Sequence, residues 1–211
     1  MLGAVAVSGQ PSTFLWQAEA RALVLPERFT REPGFEAAAK ASAARGWPVH
    51  ARKTGGGITP QGPGVLNLAL SFTVAPGHSR AILASYARIV DPLRAGFDRL
   101  GVATQTTAVE GSFCDGDYNL AVGGQKLVGT AQRWRGAACL IHALVLTDID
   151  LFPAVAAVAQ FSADLGHDTR FCADKHCRLA DHLPVGTDSH QAATDALWQV
   201  VSDAGYVPFA P

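Results

Sequence analysis

Three features of this sequence have the residue types and spacing to do chemistry. Lys126 opens the apolar segment Leu127-Val128-Gly129-Thr130-Ala131 directly after Gly123-Gly124-Gln125, an odd place for a solvated charge. Taken alone, it fits an edge-strand lysine that blocks sheet pairing as well as it fits a functional cation. Cys114 lies in Gly111-Ser112-Phe113-Cys114-Asp115-Gly116-Asp117, a polar, turn-like stretch ahead of that lysine. A thiol in a polar loop is exposed and reactive, whereas Cys139, among Ala137, Ala138 and Leu140, reads as an inert core cysteine. The third feature is the run from Arg52 to Asn67, which contains Gly55-Gly56-Gly57 and Gly62-Pro63-Gly64. A glycine triplet costs conformational entropy and contributes no side chain, so it marks either a flexible loop or a close approach of backbone to ligand. Strand-like segments on both sides and the cations Arg52 and Lys53 favour the second use, with N–H groups converging on an anion.

His142, inside Ile141-His142-Ala143-Leu144, reads as a core histidine satisfied by backbone or as a proton-handling group. His167, Cys172, His176, Cys177 and His182 are all nitrogen or sulfur ligands, and a zinc site is one reading of them. Their spacing matches no standard finger, and the adjacent His176 and Cys177 point apart on either a helix or a strand. The expectation is no metal.

These residues need elements to hold them. Residues 12–25 read as two short strands ending at Pro26, and residues 33–45 as an alanine-rich helix stopped by Gly46. Residues 47–50 form a strand feeding the glycine run, residues 66–74 a strand leaving it, with Pro76-Gly77 as punctuation. Ile82, Tyr86, Ile89, Val90, Leu93, Phe97 and Leu100 recur every three or four positions, which predicts an amphipathic helix over 79–100, bent at Pro92. Strands follow over 103–109, 118–122 and 126–133, with a turn at Gly123-Gly124, then a buried strand over 137–146. Asp148 or Asp150 caps a helix running to about residue 165. Residues 166–187 are irregular, and 188–204 form a closing helix with Leu197, Val200 and Val201 inward. The order implies an α+β fold with a mixed, mostly antiparallel sheet flanked by helices.

The chain has 211 residues, of which 48% are apolar and 17% charged, with a net charge of −1. That composition suits one globular domain and excludes a disordered chain. No strongly basic surface points to nucleic acid or membrane, and no apolar run has the length of a membrane span. Four cysteines make no disulfide framework, so free thiols and a cytoplasmic setting are expected.

In order along the chain, Arg52-Lys53-Thr54-Gly55-Gly56-Gly57, Gln61-Gly62-Pro63-Gly64, Gly124-Gln125-Lys126-Leu127-Val128-Gly129-Thr130-Ala131 and Ile141-His142-Ala143 resemble the motifs of the biotin/lipoate A/B protein ligase family. The resemblance covers roughly residues 47–150. It implies the class II biotin/lipoyl synthetase-like fold and a single lipoate/octanoate transferase-ligase catalytic domain over 1–211, with no C-terminal accessory domain; as a departure from the family, the N-terminal helix is expected to be missing or much reduced. It implies transfer of an octanoyl or lipoyl group to a lysine of a lipoyl carrier domain. The donor would be a thioester on acyl carrier protein or coenzyme A, and no cofactor would be required for transfer. Lys126 then polarises the acyl carbonyl, and Cys114 matches the loop nucleophile of one octanoyltransferase branch. Cys172 and Cys177 are the candidates of a second branch. Arg52, Thr54, Gly55, Gly56, Gly57, Gln61, Gly62, Asn67, Gly129, Thr130, Ala131 and His142 line the substrate site, with N–H groups of 129–131 aimed at the carbonyl. The alternatives are an ATP- and Mg-dependent ligase acting through an acyl-adenylate, and a non-catalytic acyl-binding homologue. Ligases carry an Asn-Asp pair where this chain has Tyr118-Asn119, and Asp117 is the available substitute carboxylate. Gln61 replaces a family histidine, and Ala51 replaces the first of two arginines.

Overall fold

The near-continuous apolar runs become interior strands, because a strand covered on both faces has no solvent side on which to alternate. The computed structural model describes residues 1–74 and 81–210. The strands are β1 (Ser12–Gln17), β2 (Ala22–Pro26), β3 (Val49–Arg52), β4 (Thr59–Gln61), β5 (Val65–Thr73), β6 (Gln105–Thr106), β7 (Leu120–Val122), β8 (Gln125–Arg135), β9 (Ala138–Leu146) and β10 (Val207–Pro208). The helices are α1 (Leu2–Ser8), α2 (Phe35–Ala44), α3 (Ala81–Arg99), α4 (Leu151–Asp164) and α5 (Ser189–Asp203). Seven strands form one sheet in the order β10-β1-β5-β9-β8-β7-β6, antiparallel except for β1 with β10. A smaller sheet, β3-β2-β4, has one parallel and one antiparallel pairing. The α+β, mostly antiparallel expectation therefore holds.

Side-chain alternation divides the large sheet into two working faces. On one, Leu66, Leu68, Leu70 and Phe72 of β5 and Cys139, Ile141, Ala143 and Val145 of β9 pack under Ile89, Leu93 and Phe97 of α3 and Leu197 and Val201 of α5. Gly96 makes this packing close: a Cβ there would lie 2.7 Å from Leu197 Cδ2. The opposite face carries Asn67, Ala69, Leu140, His142 and Leu144 and borders a cavity. A second apolar cluster joins Leu23 and Leu25 of β2 to Val155, Val158 and Phe161 of α4.

Several expectations need correction. Ile82 is exposed, so the buried stripe of α3 starts further along. The strand expected over 103–109 shrinks to Gln105–Thr106, because its neighbour β7 has only three residues before the Gly123-Gly124 turn. Asp150 sits at the N-cap of α4 without a side-chain cap bond, whereas Asp188 does cap α5, accepting from the N–H groups of His190 and Gln191. Pro76-Gly77 lies outside the described residues. Most consequential is Lys126. It sits on an interior strand between β7 and β9 and is fully buried, which removes the edge-strand reading.

Candidate active site

The glycine loop is held by two arginines acting on its carbonyls. Arg52, at the end of β3, donates to the carbonyl oxygens of Val24 (2.8 Å), Gly55 (3.0 Å) and Gly57 (2.8 Å). Arg28 donates to Gly56 O at 2.5 Å. With its carbonyls turned to these guanidinium groups, the loop directs the Gly57 N–H at Cys114 Sγ, 3.0 Å away. Gly56 has φ +96°, and a Cβ there would stand 2.8 Å from Cys114 Sγ and 3.1 Å from Arg52 Nη2. The triplet is thus explained by close approach to a side chain as well as by backbone freedom. Arg52 binds backbone instead of presenting a free fork to an anion, and burial lowers its pKa.

Cys114 has φ 49°, the one positive φ among the described non-glycine residues. That conformation is uncommon for a side-chain-bearing residue and persists where its surroundings dictate it. Lys126 Nζ donates to the carbonyls of Phe113 (2.5 Å) and Cys114 (2.8 Å), and Asn119 Nδ2 donates to Cys114 O at 3.1 Å. The Phe113 N–H donates to His176 Nε2 at 3.2 Å, and the His176 ring stacks on the Phe113 ring at 4.4 Å. His176 Nδ1 donates to Cys172 O at 3.0 Å, which fixes the neutral tautomer. Burial lowers the pKa of Lys126 to about 8, against the opposing pull of Cys114 and Asp115, and lowers that of His176 to about 4.

A cavity of about 760 Å³ opens from Cys114 across the sheet. Strand register lays out its floor. Phe14, Ala69, His142 and Ala131 form one row across β1, β5, β9 and β8, and Trp16, Asn67, Leu144 and Gly129 form the next. Strands lie about 4.8 Å apart, so Ala131 beside the cysteine and Phe14 at the far side are separated by roughly 14 Å. Most of this lining is apolar, and four of its polar side chains form two pairs. Gln61 and Asn67 exchange two hydrogen bonds of 2.8 and 2.9 Å. Thr54 Oγ1 lies 2.8 Å from His142 Nε2. Burial, and then the charge of Arg52, lower the His142 pKa to about 3, so the ring is neutral at ordinary pH and too weak a base to lead proton abstraction. The partner of His142 is a side chain, not the backbone expected for a core histidine.

Cys114 also borders a second cavity, of about 590 Å³, lined by Gly56 and Gly57 together with Arg28, Ser112, Asp115, Thr169, Arg170 and Phe171. The residue therefore borders an apolar space and a more polar one.

Cys114, Arg52, Thr54, Gln61, Asn67, Gly129, Thr130, Ala131 and His142 line the cavity, with Lys126 buried behind the cysteine and the glycine triplet against its sulfur. Gly62 does not line the cavity; with φ +144° it packs close over Arg21, whose Cα would lie 3.2 Å from a Cβ there. Two expectations change. The Thr130 N–H does not face open space but donates to Asn119 Oδ1 at 3.0 Å. Asp117 lies exposed in a turn before β7 begins, not on a strand face, so it is no ready substitute for a ligase carboxylate. Of the side chains weighed as zinc ligands, His167 pairs with Glu32 at 2.8 Å and Cys177 Sγ donates to Gln125 O at 3.6 Å. Among the described residues no three metal-ligating side chains converge. The sequence reading missed Arg28 and His176 as loop anchors. Nothing local signals either, since their partners lie 28 and 63 residues away.

The mixed sheet carries an apolar cavity bordered by a cysteine, with a buried lysine behind it. Residues 5–198 match the lipoyl protein ligase A/B catalytic domain, and the chain belongs to that family. It is 35% identical over 218 residues to an uncharacterized protein of Cupriavidus necator, covering 95% of this chain and 85% of that one. It is 39% identical over 92 residues to an octanoyl-[GcvH]:protein N-octanoyltransferase of Kyrpidia tusciae, covering 43% of this chain and 31% of the relative. The homologous enzyme of Oceanobacillus iheyensis is 29% identical over 123 residues, covering 58% of this chain and 43% of its own. The chain thus matches less than half the length of these octanoyltransferases. In fold it resembles a T. acidophilum protein solved with bound lipoic acid (TM-score 0.74, 17% identity, 100% of this chain and 81% of that one). It also resembles lipoate-protein ligase A bound with ATP (TM-score 0.71, 18% identity, 99% and 80%).

Proposed function

We propose that this chain transfers an octanoyl or lipoyl group to a lysine of a lipoyl carrier domain through a thioester on Cys114. The observation that carries the reading is the position of the Cys114 sulfur, at the end of an apolar cavity and within 3.0 Å of a backbone N–H. In the first step Cys114 Sγ attacks the acyl carbonyl, a carbon–sulfur bond forms, and the donor's thiol leaves with the proton that Cys114 gave up. In the second, the neutral carrier amine attacks the thioester, a carbon–nitrogen bond forms, and the departing Cys114 sulfur takes a proton from the amine. The acyl chain stays in the apolar cavity while leaving and incoming groups exchange on the polar side.

Lys126 supports both tetrahedral intermediates. An ammonium has three donors, two of which hold Phe113 O and Cys114 O, so one proton and the full charge remain for a developing oxyanion. The thioester route uses no ATP, and Asn119 provides no anionic oxygen for Mg²⁺. Acyl carrier protein or coenzyme A thioesters are the donors read from this chemistry. The octanoyltransferase relatives are named for an octanoylated carrier protein, so an octanoyl-lysine amide is the other donor to test.

Intact mass spectrometry after mixing with an octanoyl thioester, without ATP and beside Cys114→Ala, tests the proposal. A gain of one octanoyl group, absent from the control, is the expected result. Labelling that survives the substitution moves the nucleophile to Cys172 or Cys177. Carrier modification only with free acid and ATP makes the protein a ligase, and silence in both assays makes it a non-catalytic acyl-binding homologue.

A further inference from the structure

The Cys114 carbonyl is where the nucleophile loop is fastened, and two side chains hold it. One is the family's motif lysine. The other, Asn119, does more than hold the loop. Its amide is bifunctional: Nδ2 donates to Cys114 O at 3.1 Å while Oδ1 accepts the Thr130 N–H at 3.0 Å. Thr130 belongs to β8, the strand that walls the acyl cavity beside the cysteine. Thr130 is fixed in turn, its Oγ1 donating to Tyr118 O at 2.9 Å. Asn119 itself has little freedom. It is 1% exposed, its N–H donates to Gly116 O at 3.1 Å, and its carbonyl accepts from Thr107 N–H at 3.0 Å. One rigid amide therefore sets the offset between the nucleophile loop and the cavity wall, and it does so at the residue whose backbone adopts φ 49°. An aspartate could accept from Thr130 but has no donor for the carbonyl, so the amide is what lets one side chain satisfy both.

We propose that Asn119 is a positioning residue that aligns Cys114 Sγ with an acyl carbonyl in the cavity. This rests on the thioester reading given above. The clamp orders the loop before substrate arrives, so its loss slows the chemical step rather than weakening donor binding. Misplacement of a reacting group by about an ångström costs on the order of 10-fold to 100-fold in rate, and that is the expected loss.

Asn119→Leu keeps the volume and removes both hydrogen bonds; Asn119→Ser is a smaller change, measured in the same way if the leucine variant does not fold. Two rates are compared with wild type: formation of the Cys114 acyl-enzyme from octanoyl thioester, over a range of donor concentrations, and alkylation of Cys114 by iodoacetamide, followed by peptide mass spectrometry. A small alkylating agent needs no alignment with the cavity. The expected result is a slower maximal acylation rate, with donor half-saturation and the alkylation rate each within about twofold of wild type. Unchanged acylation in a folded variant overturns the proposal. So does alkylation that slows by the same factor as acylation, or a loss confined to donor affinity. If wild type itself forms no acyl-enzyme, the thioester reading fails and takes this inference with it; if wild type is acylated and the variants match it, only the inference fails.

Discussion

Gly57 and Cys114 are 57 residues apart in sequence and meet at 3.0 Å, the backbone N–H of one donating to the sulfur of the other. The glycine loop and the cysteine loop are thus two halves of one device. Each is held from behind, the first by Arg52 and Arg28 and the second by Lys126 and Asn119.

Gly56 is the tightest point of that meeting. Gly56→Ala asks for a positive φ that a side chain disfavours and places a Cβ 2.8 Å from Cys114 Sγ. Acylation by octanoyl thioester is expected to fall by at least about tenfold, with a stability loss on the order of 1–3 kcal/mol in urea unfolding. A variant that acylates at the wild-type rate would show that the loop can yield without moving the thiol.

Lys126→Met removes the charge and leaves its stem. Acyl-enzyme formation should drop on the order of 100-fold, the usual consequence of losing one oxyanion donor. Its folded pKa of about 8 lies below the ordinary 10.5, so between those values the unfolded chain binds more protons than the folded one. Stability therefore rises with pH across that window, by up to about 1.4 kcal/mol per pH unit for this group. The rise is absent from the methionine variant, and urea unfolding at several alkaline pH values measures the difference.

His142 and His176 predict the acid side. Their folded pKa values, about 3 and about 4, lie below the ordinary 6.5. As pH falls below 6.5 the unfolded chain takes up protons that the folded chain refuses, and stability declines toward pH 4. Each histidine contributes about 1.4 kcal/mol per pH unit at most. His142→Gln should flatten the decline by one histidine's share, and a slope that does not change would contradict the lowered pKa of that ring.

Ala69 lies in register between Phe14 and His142, in the middle of the cavity floor. Ala69→Phe fills that space without touching Cys114. Acylation by octanoyl thioester is expected to fall by more than about tenfold, while a butyryl thioester keeps its rate. Equal losses for both chain lengths would mean that the acyl group lies elsewhere.

Asp188 serves as a control for stability without function. It caps α5 through the N–H groups of His190 and Gln191. Asp188→Ala should cost about 1 kcal/mol, read as a melting shift of a few degrees, with acylation unchanged.

By itself the sequence determined most of the strands and helices, because burial periodicity, glycine stops and continuous apolar runs are local properties; α1, β4, β10 and the shortness of β6 depend on tertiary partners and were not legible. It also put a cysteine in a polar loop, a misplaced lysine and a glycine triplet on view, since each conflicts with ordinary packing. The tertiary structure decided what those residues face. Strand order placed Lys126 in the interior, and no local pattern distinguishes an interior strand's lysine from an edge one. Folding turned Arg52 toward carbonyls, including Val24 O, 28 residues away, so that a cation read as an anion ligand became a loop anchor. The Gln61–Asn67 and Thr54–His142 pairs, and the two-sided grip of Asn119, are likewise matters of geometry. A side chain's type limits which hydrogen bonds it can make, and only the folded chain selects among the partners within reach.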